Sequence, residues 1–326
     1  RQMCIRDSRN ARNLAGWTVM GASVSILLGG DLLMALVGGL TAFLIMGFNK
    51  VLSHNSLPYF YHCVLGGFLA TIPAALFYDF SASIGHTIVP SQVIASGIIV
   101  LLAGLTLVQS LFDGITGSPV TAASRFFQTM LSSGGIVAGV AIGLYVAESL
   151  GVGLPPLETM LGKPSLSSAG WRILGGALAS ASFAVTCFAE RQAVIVSGLT
   201  AAAGSMIYYV FLIPLGTDAF LATTACAIVI GLAGGLISRS LLINPVITAV
   251  AGVTPFLPGS GIYRGLYAVL NEQMVVGLSN IFTAIGTCMA LAGGVIFGEW
   301  VARRIRAPEL YICLLYTSDA ADEGLG

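Results

Sequence analysis

Charged residues are scarce in this sequence. Aspartate, glutamate, lysine and arginine make up 9% of its 326 residues, whereas 56% are hydrophobic. Soluble domains carry about 25% charged residues, which cover the surface that faces water. A chain this poor in charge must face lipid instead. The composition excludes an ordinary soluble domain and predicts a protein embedded in the lipid bilayer, with no nucleic-acid partner.

Three kinds of functional site are missing as well. The cysteines form no C-x-x-C pair and the three histidines do not cluster, so no metal site is predicted. The pattern G-x-x-x-x-G-K-[ST] is absent, because LGKPS at residues 161–165 lacks the earlier glycine, and ATP is therefore not the energy source. Asp31 and Asp79 do not have the spacing of intramembrane aspartyl proteases. We expect no cofactor and no enzyme activity.

Both ends of the sequence are unlike the rest. Residues 1–8 (RQMCIRDS) and residues 313–326, which begin with CLLYTSDAADE, resemble translated sequencing adapters and are interpreted as artefacts. Under this interpretation the native chain is free to begin before residue 9 and to end after residue 312.

A membrane helix needs about 20 apolar residues, and the sequence contains ten candidate runs, of which the ninth is short. They lie at about 14–30, 31–49, 59–79, 92–112, 128–148, 171–189, 192–213, 217–238, 243–257 and 277–299. The sequence thus predicts an all-α, polytopic membrane protein with about ten transmembrane helices.

The positive charges support this even number of spans. Only Lys163, Arg172 and Arg264 lie on one side of the ten-span arrangement. The other side, which holds both ends, carries Arg9, Arg12, Lys50, Arg125, Arg191, Arg239, Arg303, Arg304 and Arg306. Cytoplasmic loops carry the excess of lysine and arginine. We therefore expect a bacterial cytoplasmic (inner) membrane protein with both ends in the cytoplasm.

The chain matches itself at an offset of 155 residues. The matches include Pro90 with Pro245, Gly97 with Gly252 and Gly104 with Gly259. This offset predicts two repeats, at residues 9–150 and 151–312, with five spans each. Because five is odd, the second repeat enters the membrane from the opposite side. Such inverted repeats are typical of secondary transporters, which bind substrate where the repeats meet and expose it to each side in turn.

One segment, GVTPFLPGSGIYRGL at residues 252–266, interrupts the apolar pattern. Proline removes a helical hydrogen bond, and broken backbone survives in lipid only where protein buries it or where it lines a wet cavity. Pro255, Pro258 and Gly259 therefore predict a helix that stops partway and forms part of a substrate site, together with Gly104 of the first repeat. The first repeat, with Ala103 in place of a proline, is expected to carry the weaker break. The alternative is an ordinary surface loop.

Few charges lie away from the span ends, and each suggests a pathway or a partner. We expect Arg264, next to Tyr263, to hold a substrate carboxylate, and Asp113 to accept an ammonium group or carry a proton, because a poorly solvated carboxyl group binds protons more readily. Arg125 is a possible partner of Asp113, and its repeat partner Asn280 is expected among the substrate-binding residues, as is Tyr263. In the alternative interpretation Asp113 and Arg125 are loop charges that pair with each other.

The segments LLAGLTLVQSLFDGITGSPVTAASRF and VTPFLPGSGIYRGL resemble the threonine/serine exporter family over residues 14–300. There a proline–glycine turn leads to a tyrosine–arginine pair in one half, here Tyr263 and Arg264, and the other half carries a phenylalanine–aspartate pair, here ending at Asp113. The resemblance implies a secondary transporter that exports these amino acids with the proton gradient. Many members also carry a hydrophilic N-terminal segment. A carrier of another small organic solute, and an uncoupled channel or structural membrane subunit, remain alternatives.

Overall fold

The fold is a bundle of helices, seen in a computed structural model. The structure describes residues 2–53, 57–84, 89–101, 103–152, 166–212, 215–216, 219–241, 243, 245–270 and 272–305. Six α-helices form the first half: α1 (Gln2–Leu27), α2 (Leu32–Ser53), α3 (Tyr59–Ile84), α4 (Pro90–Ile99), α5 (Ala103–Ile115) and α6 (Pro119–Ser149). Six form the second half: α7 (Leu166–Thr186), α8 (Arg191–Met206), α9 (Ala219–Ser240), α10 (Pro245–Val253), α11 (Gly259–Leu270) and α12 (Met274–Ile305). A π-helical turn (Ile207–Leu212) follows α8, and a 3-10 turn (Thr254–Phe256) follows α10. No strand is present in these ranges.

The two halves repeat the same order of helices. α4, α5 and α6 begin at residues 90, 103 and 119, and α10, α11 and α12 begin at residues 245, 259 and 274. The same helices are also neighbours in each half: α3 packs on α6 as α9 packs on α12, and α1 packs on α2 as α7 packs on α8. α1 and α7 pack against each other between the halves. The two halves thus share one order of helices and one set of helix contacts.

Close contact between long helices requires glycine at equivalent positions. A Cβ atom on Gly139 of α6 would overlap the carbonyl oxygen of Val64 in α3. A Cβ atom on Gly294 of α12 would lie 2.7 Å from the Cβ of Ala227 in α9. Any larger residue would push these helices apart. The glycine matches that reveal the repeat in the sequence are therefore explained by the same helix contact made twice.

The outer surface is apolar, as expected for a surface in contact with lipid. Val120 and Val275, which are repeat partners, are each 83% exposed, and the partners Phe127 and Phe282 are 64% and 69% exposed. Large exposed apolar surfaces are rare in soluble proteins. The chain is therefore a multi-pass membrane protein whose two halves present the same face outwards.

Six helices in the described part of the chain have the length and composition of a membrane span. A seventh span results if α4 and α5, bent by 49° at their break, count as one. The predicted number of ten is not confirmed. Two of the predicted spans that fail this criterion correspond to α1 and α7, which face each other inside the bundle. Their polar residues, such as Ser23 in α1 and Arg172 in α7, are buried in protein and lower the hydropathy.

A helix is broken at the same place in both halves. α10 ends at Val253, and α11 begins at Gly259, as the prolines predict; Leu257 is 7% exposed, so the break is buried and is not a surface loop. α4 ends at Ile99 and α5 begins at Ala103, although no proline lies between them. There the hydroxyl of Tyr59 donates a hydrogen bond to the carbonyl oxygen of Leu101, at 3.3 Å. This contact satisfies a backbone group that the break sets free.

The two breaks meet at a pair of equivalent glycines. A Cβ atom on Gly104 would lie 3.0 Å from the backbone nitrogen of Gly259 and 3.1 Å from its Cα. Gly104 and Gly259 are matched at the offset of 155 residues, so equivalent positions of the two halves are in contact here. Only glycine at position 104 lets the backbones approach this closely without a shift of either chain.

Candidate functional site

A cavity of about 330 Å³ lies between the two halves. α5 and α6 of the first half and α10 and α12 of the second half surround it. Small-molecule sites occupy about 300–1,000 Å³. The lining residues are Leu105, Val108, Gln109, Phe112, Asp113, Arg125, Ala249, Val250, Val253, Ala292, Val295 and Glu299. The cavity is therefore large enough for a small solute and is mostly apolar, with four polar side chains.

An ion pair and an amide lie on the first half's side of the cavity. Arg125 Nη1 lies 3.1 Å from Asp113 Oδ2, and the side chains are 41% and 22% exposed. The same nitrogen donates a long hydrogen bond, 3.5 Å, to Oε1 of Gln109. Asp113 and Gln109 are one helical turn apart on α5, and Arg125 comes from the first two turns of α6. The short turn between these helices brings the three groups together.

A second acid comes from the other half. Glu299, near the end of α12, is 7% exposed and lines the cavity. Its Oε2 atom lies 3.6 Å from Nη2 of Arg303, one turn further along the same helix, and the side chain of Arg303 is 65% exposed. A pair with an exposed arginine is weakened by water, so Arg303 compensates the buried carboxylate only in part.

The arrangement is suited to a ligand with charges of both signs. The planar guanidinium of Arg125 can form two parallel hydrogen bonds with a carboxylate. The carboxylates of Asp113 and Glu299 can accept hydrogen bonds from an ammonium group. The side-chain amide of Gln109 can donate a hydrogen bond to a neutral polar group or accept one from it. A zwitterion with a short side chain fits both the volume and the charges.

The described part of the chain contains no group of three or more histidine, cysteine, aspartate or glutamate residues that could hold a metal ion. Cys63, Cys226 and Cys288 are buried singly, and Cys187 is exposed between α7 and α8.

The break residues form a separate group beside the cavity. Pro255 lies in the 3-10 turn and is half-buried. The carbonyl oxygen of Pro258 accepts hydrogen bonds from the amides of Gly261 (3.0 Å) and Ile262 (3.2 Å) and so opens α11. Gly104 and Gly259 pack against each other. None of these predicted site residues lines the cavity, which is bounded on this side by the last turns of α10.

The remaining predicted residues lie on the second half. Arg264 is on α11 and Asn280 is on α12, and both side chains are half-buried. The backbone of Tyr263 lies in α11, but its side chain lies outside the described residues. The structure therefore brings Asp113 together with Arg125.

The sequence analysis missed two residues of the cavity, Gln109 and Glu299. Gln109 could have been found because it occupies the repeat position of Arg264, at the offset of 155 residues. Glu299 is the single acidic residue of α12 and lies four residues before Arg303, and an acid at such a position suggests a functional role. Proximity to Asp113 could not have been predicted, because α12 belongs to the other half.

Two family models of the threonine/serine exporter match the chain, one over residues 6–147 and one over residues 172–308. The chain is 51% identical over 295 residues to a protein named "Threonine/serine exporter" from Corynebacterium glutamicum, an alignment that covers 90% of the chain and 60% of that protein. It is 30% identical over 300 residues to a "Probable threonine/serine exporter" from Mycobacterium tuberculosis, with coverage of 90% and 55%. The chain thus spans little more than half the length of these relatives. No solved structure matches it.

The two family matches coincide with the two halves of the bundle. One ends within α6, and the other begins within α7. Each break and each side of the cavity therefore falls inside a matched region. The chain belongs to the threonine/serine exporter family, whose members are transporters and not enzymes.

Proposed function

We propose that the chain forms the membrane part of a secondary transporter that exports threonine and serine from the bacterial cytoplasm. One observation carries the proposal: a cavity between the halves, lined by Arg125, Asp113, Gln109 and Glu299. The family membership supports the substrate class, because both relatives are named for threonine and serine.

In the proposed complex, each end of the zwitterion has its own partner. Arg125 binds the carboxylate through two hydrogen bonds, and Asp113 accepts a hydrogen bond from the ammonium group. The substrate thus enters between two side chains that pair with each other in its absence. Gln109 and Glu299 are the acceptors for the hydroxyl group. A site that hydrogen-bonds a hydroxyl group rejects the isosteric apolar side chain, so valine should compete poorly with threonine.

Proton exchange follows from competition for Asp113. A proton and an ammonium group cannot both neutralise one carboxylate oxygen, so binding of one favours release of the other. Protons that enter on Asp113 from outside would be released when cytoplasmic substrate binds. The inward gradient of protons would then drive the amino acid outwards.

The repeated helices support alternating access. We infer that the halves are inverted with respect to each other, that α4–α5 and α10–α11 each form one broken span, and that the bundle crosses the membrane ten times. Under this topology the ends, Asp113, Arg125 and Glu299 face the cytoplasm. The cavity would then be open inwards.

Efflux measurements test the proposal. Bacterial cells that lack their own threonine exporters are loaded with a threonine dipeptide, and intracellular threonine is followed with and without the chain. We expect saturable efflux that stops when an uncoupler is added while ATP is kept high. Efflux that does not saturate and persists with the uncoupler would indicate a channel. Competition by another organic solute, but not by serine, would contradict the proposal that threonine and serine are the substrates.

A further inference from the structure

Each half of the bundle carries one arginine and one carboxamide at the same two repeat positions. In the first half these are Gln109 and Arg125, which meet at 3.5 Å in the cavity. The offset of 155 residues leads to Arg264 and Asn280, both half-buried, on α11 and α12. The two residue types have exchanged places. Each half nevertheless keeps one guanidinium and one amide.

The equivalents of the cavity walls form a closed region. α5 and α10 lie on either side of the cavity, whereas their equivalents α11 and α4 are in contact. Leu266 of α11 packs against the apolar cluster of the first half. The wall positions on α10 and α12 correspond to residues of α4 and α6, namely Ile94, Ala95, Ile98, Val137, Val140 and Leu144. The structure thus has one open and one closed version of the same interface.

We propose that Arg264 and Asn280 belong to a second substrate site, closed in this structure, that binds the amino acid's carboxylate when the halves exchange conformations. The inference rests on the proposed function and adds the residues from which the substrate leaves. Gly104 and Gly259 are equivalent residues that contact each other, so this one contact can persist when the halves exchange conformations. α5 and α11 can therefore exchange roles around it.

The two sites differ in their acids. Asp113 and Glu299 of the open cavity correspond to Ala268 and Leu144, so neither position supplies a carboxylate in the second site. The ammonium group therefore loses both of these partners when the second site forms, while the carboxylate keeps a guanidinium. The second site binds the amino acid more weakly and favours its release.

Cysteine labelling tests the location of the second site. In a chain whose native cysteines are replaced, Val250→Cys and Ala95→Cys place a thiol at equivalent positions of the open and closed sites. We expect a membrane-impermeant thiol reagent to label Val250→Cys from one face of the membrane and Ala95→Cys, more slowly, from the other. Val253→Cys and Ile98→Cys provide a second equivalent pair in case Ala95→Cys does not insert.

The outcomes separate this inference from the proposed function. In one set of outcomes, threonine is exported while Ala95→Cys and Ile98→Cys stay unlabelled from both faces, or react from the same face as Val250→Cys and Val253→Cys. Either result contradicts the second site but not the proposed export of threonine. Labelling from opposite faces without any threonine transport supports the second site and contradicts the proposed substrate.

Removing the arginine at position 264, and then placing one at position 280, tests the role of Arg264. We expect Arg264→Gln to lower threonine efflux about tenfold, the factor typical of one lost charge-assisted hydrogen bond. Threonine should still protect Val250→Cys in the open cavity at an unchanged concentration. Adding Asn280→Arg copies the first half's arrangement and should restore efflux. If Arg264 had only a structural role, Arg264→Gln would change both the efflux and the protection of Val250→Cys by threonine. Adding Asn280→Arg would then not restore efflux. Normal efflux of Arg264→Gln, or a double variant no better than the single one, would overturn the inference.

Discussion

Replacing Arg125 with glutamine should raise the threonine concentration needed for half-maximal export by about 10- to 150-fold. This range corresponds to about 1.5–3 kcal/mol, the contribution of a hydrogen bond to a charged group. The change removes the only cation among the cavity-lining residues and leaves Asp113 and Glu299 to repel a carboxylate. Arg125→Lys should recover part of the affinity, because the charge remains but the planar pair of hydrogen bonds does not. Initial rates of threonine efflux at increasing internal concentrations measure this effect.

Arg304→Gln is the matched control. Arg304 is exposed, and its guanidinium carbon lies 5.3 Å from the ring centre of Trp300, outside the cavity. This variant should export threonine with the half-saturation of the unchanged chain. If Arg125→Gln and Arg304→Gln behave alike in membranes that contain equal amounts of protein, the carboxylate does not bind Arg125.

Replacing Asp113 with asparagine should abolish the dependence of export on the proton gradient. Asparagine has nearly the same shape as aspartate but cannot carry a proton, and its amide also binds an ammonium group less well than a carboxylate does. Gradient-driven efflux should therefore fall at least about tenfold, equivalent to about 1.4 kcal/mol. The remaining flux should not change with external pH. Efflux measured over a series of external pH values, with internal pH held constant, checks both points.

Asp31→Asn provides the comparison for Asp113→Asn. Asp31 is an exposed residue between α1 and α2, far along the chain from the cavity residues. Its replacement should leave the rate and the pH dependence unchanged. An Asp113→Asn variant that exports at the normal rate with the normal pH profile would show that another group carries the proton, or that none does.

Local sequence was enough to predict the break in the second half. Pro255 and Pro258 cannot continue a helix, and Gly259 tolerates a close neighbour. The break in the first half contains no proline. It depends on tertiary contacts, including the hydrogen bond from Tyr59 to Leu101. Residue propensities therefore showed one break clearly, while the other needed the packing of the bundle.

The cavity was predictable only in part. Asp113 and Arg125 lie close together in sequence, on either side of a short turn, so their pairing could be considered in advance. Glu299 lines the same cavity because α12 of the second half packs against α5 of the first. The alignment of the two halves determines which of the polar side chains share a cavity. No spacing within one half contains that information.

The most direct test of the cavity as substrate site is the protection of Val250→Cys from alkylation by threonine. Val250 lines the cavity and is half-buried, while the native Cys187 is exposed between α7 and α8 and serves as the control in a chain where it is the sole cysteine. Threonine and serine should slow alkylation of Val250→Cys in a saturable way, valine should have little effect, and Cys187 should react at the same rate throughout. An alkylation rate of Val250→Cys that does not change at threonine concentrations that saturate export would contradict the proposed site.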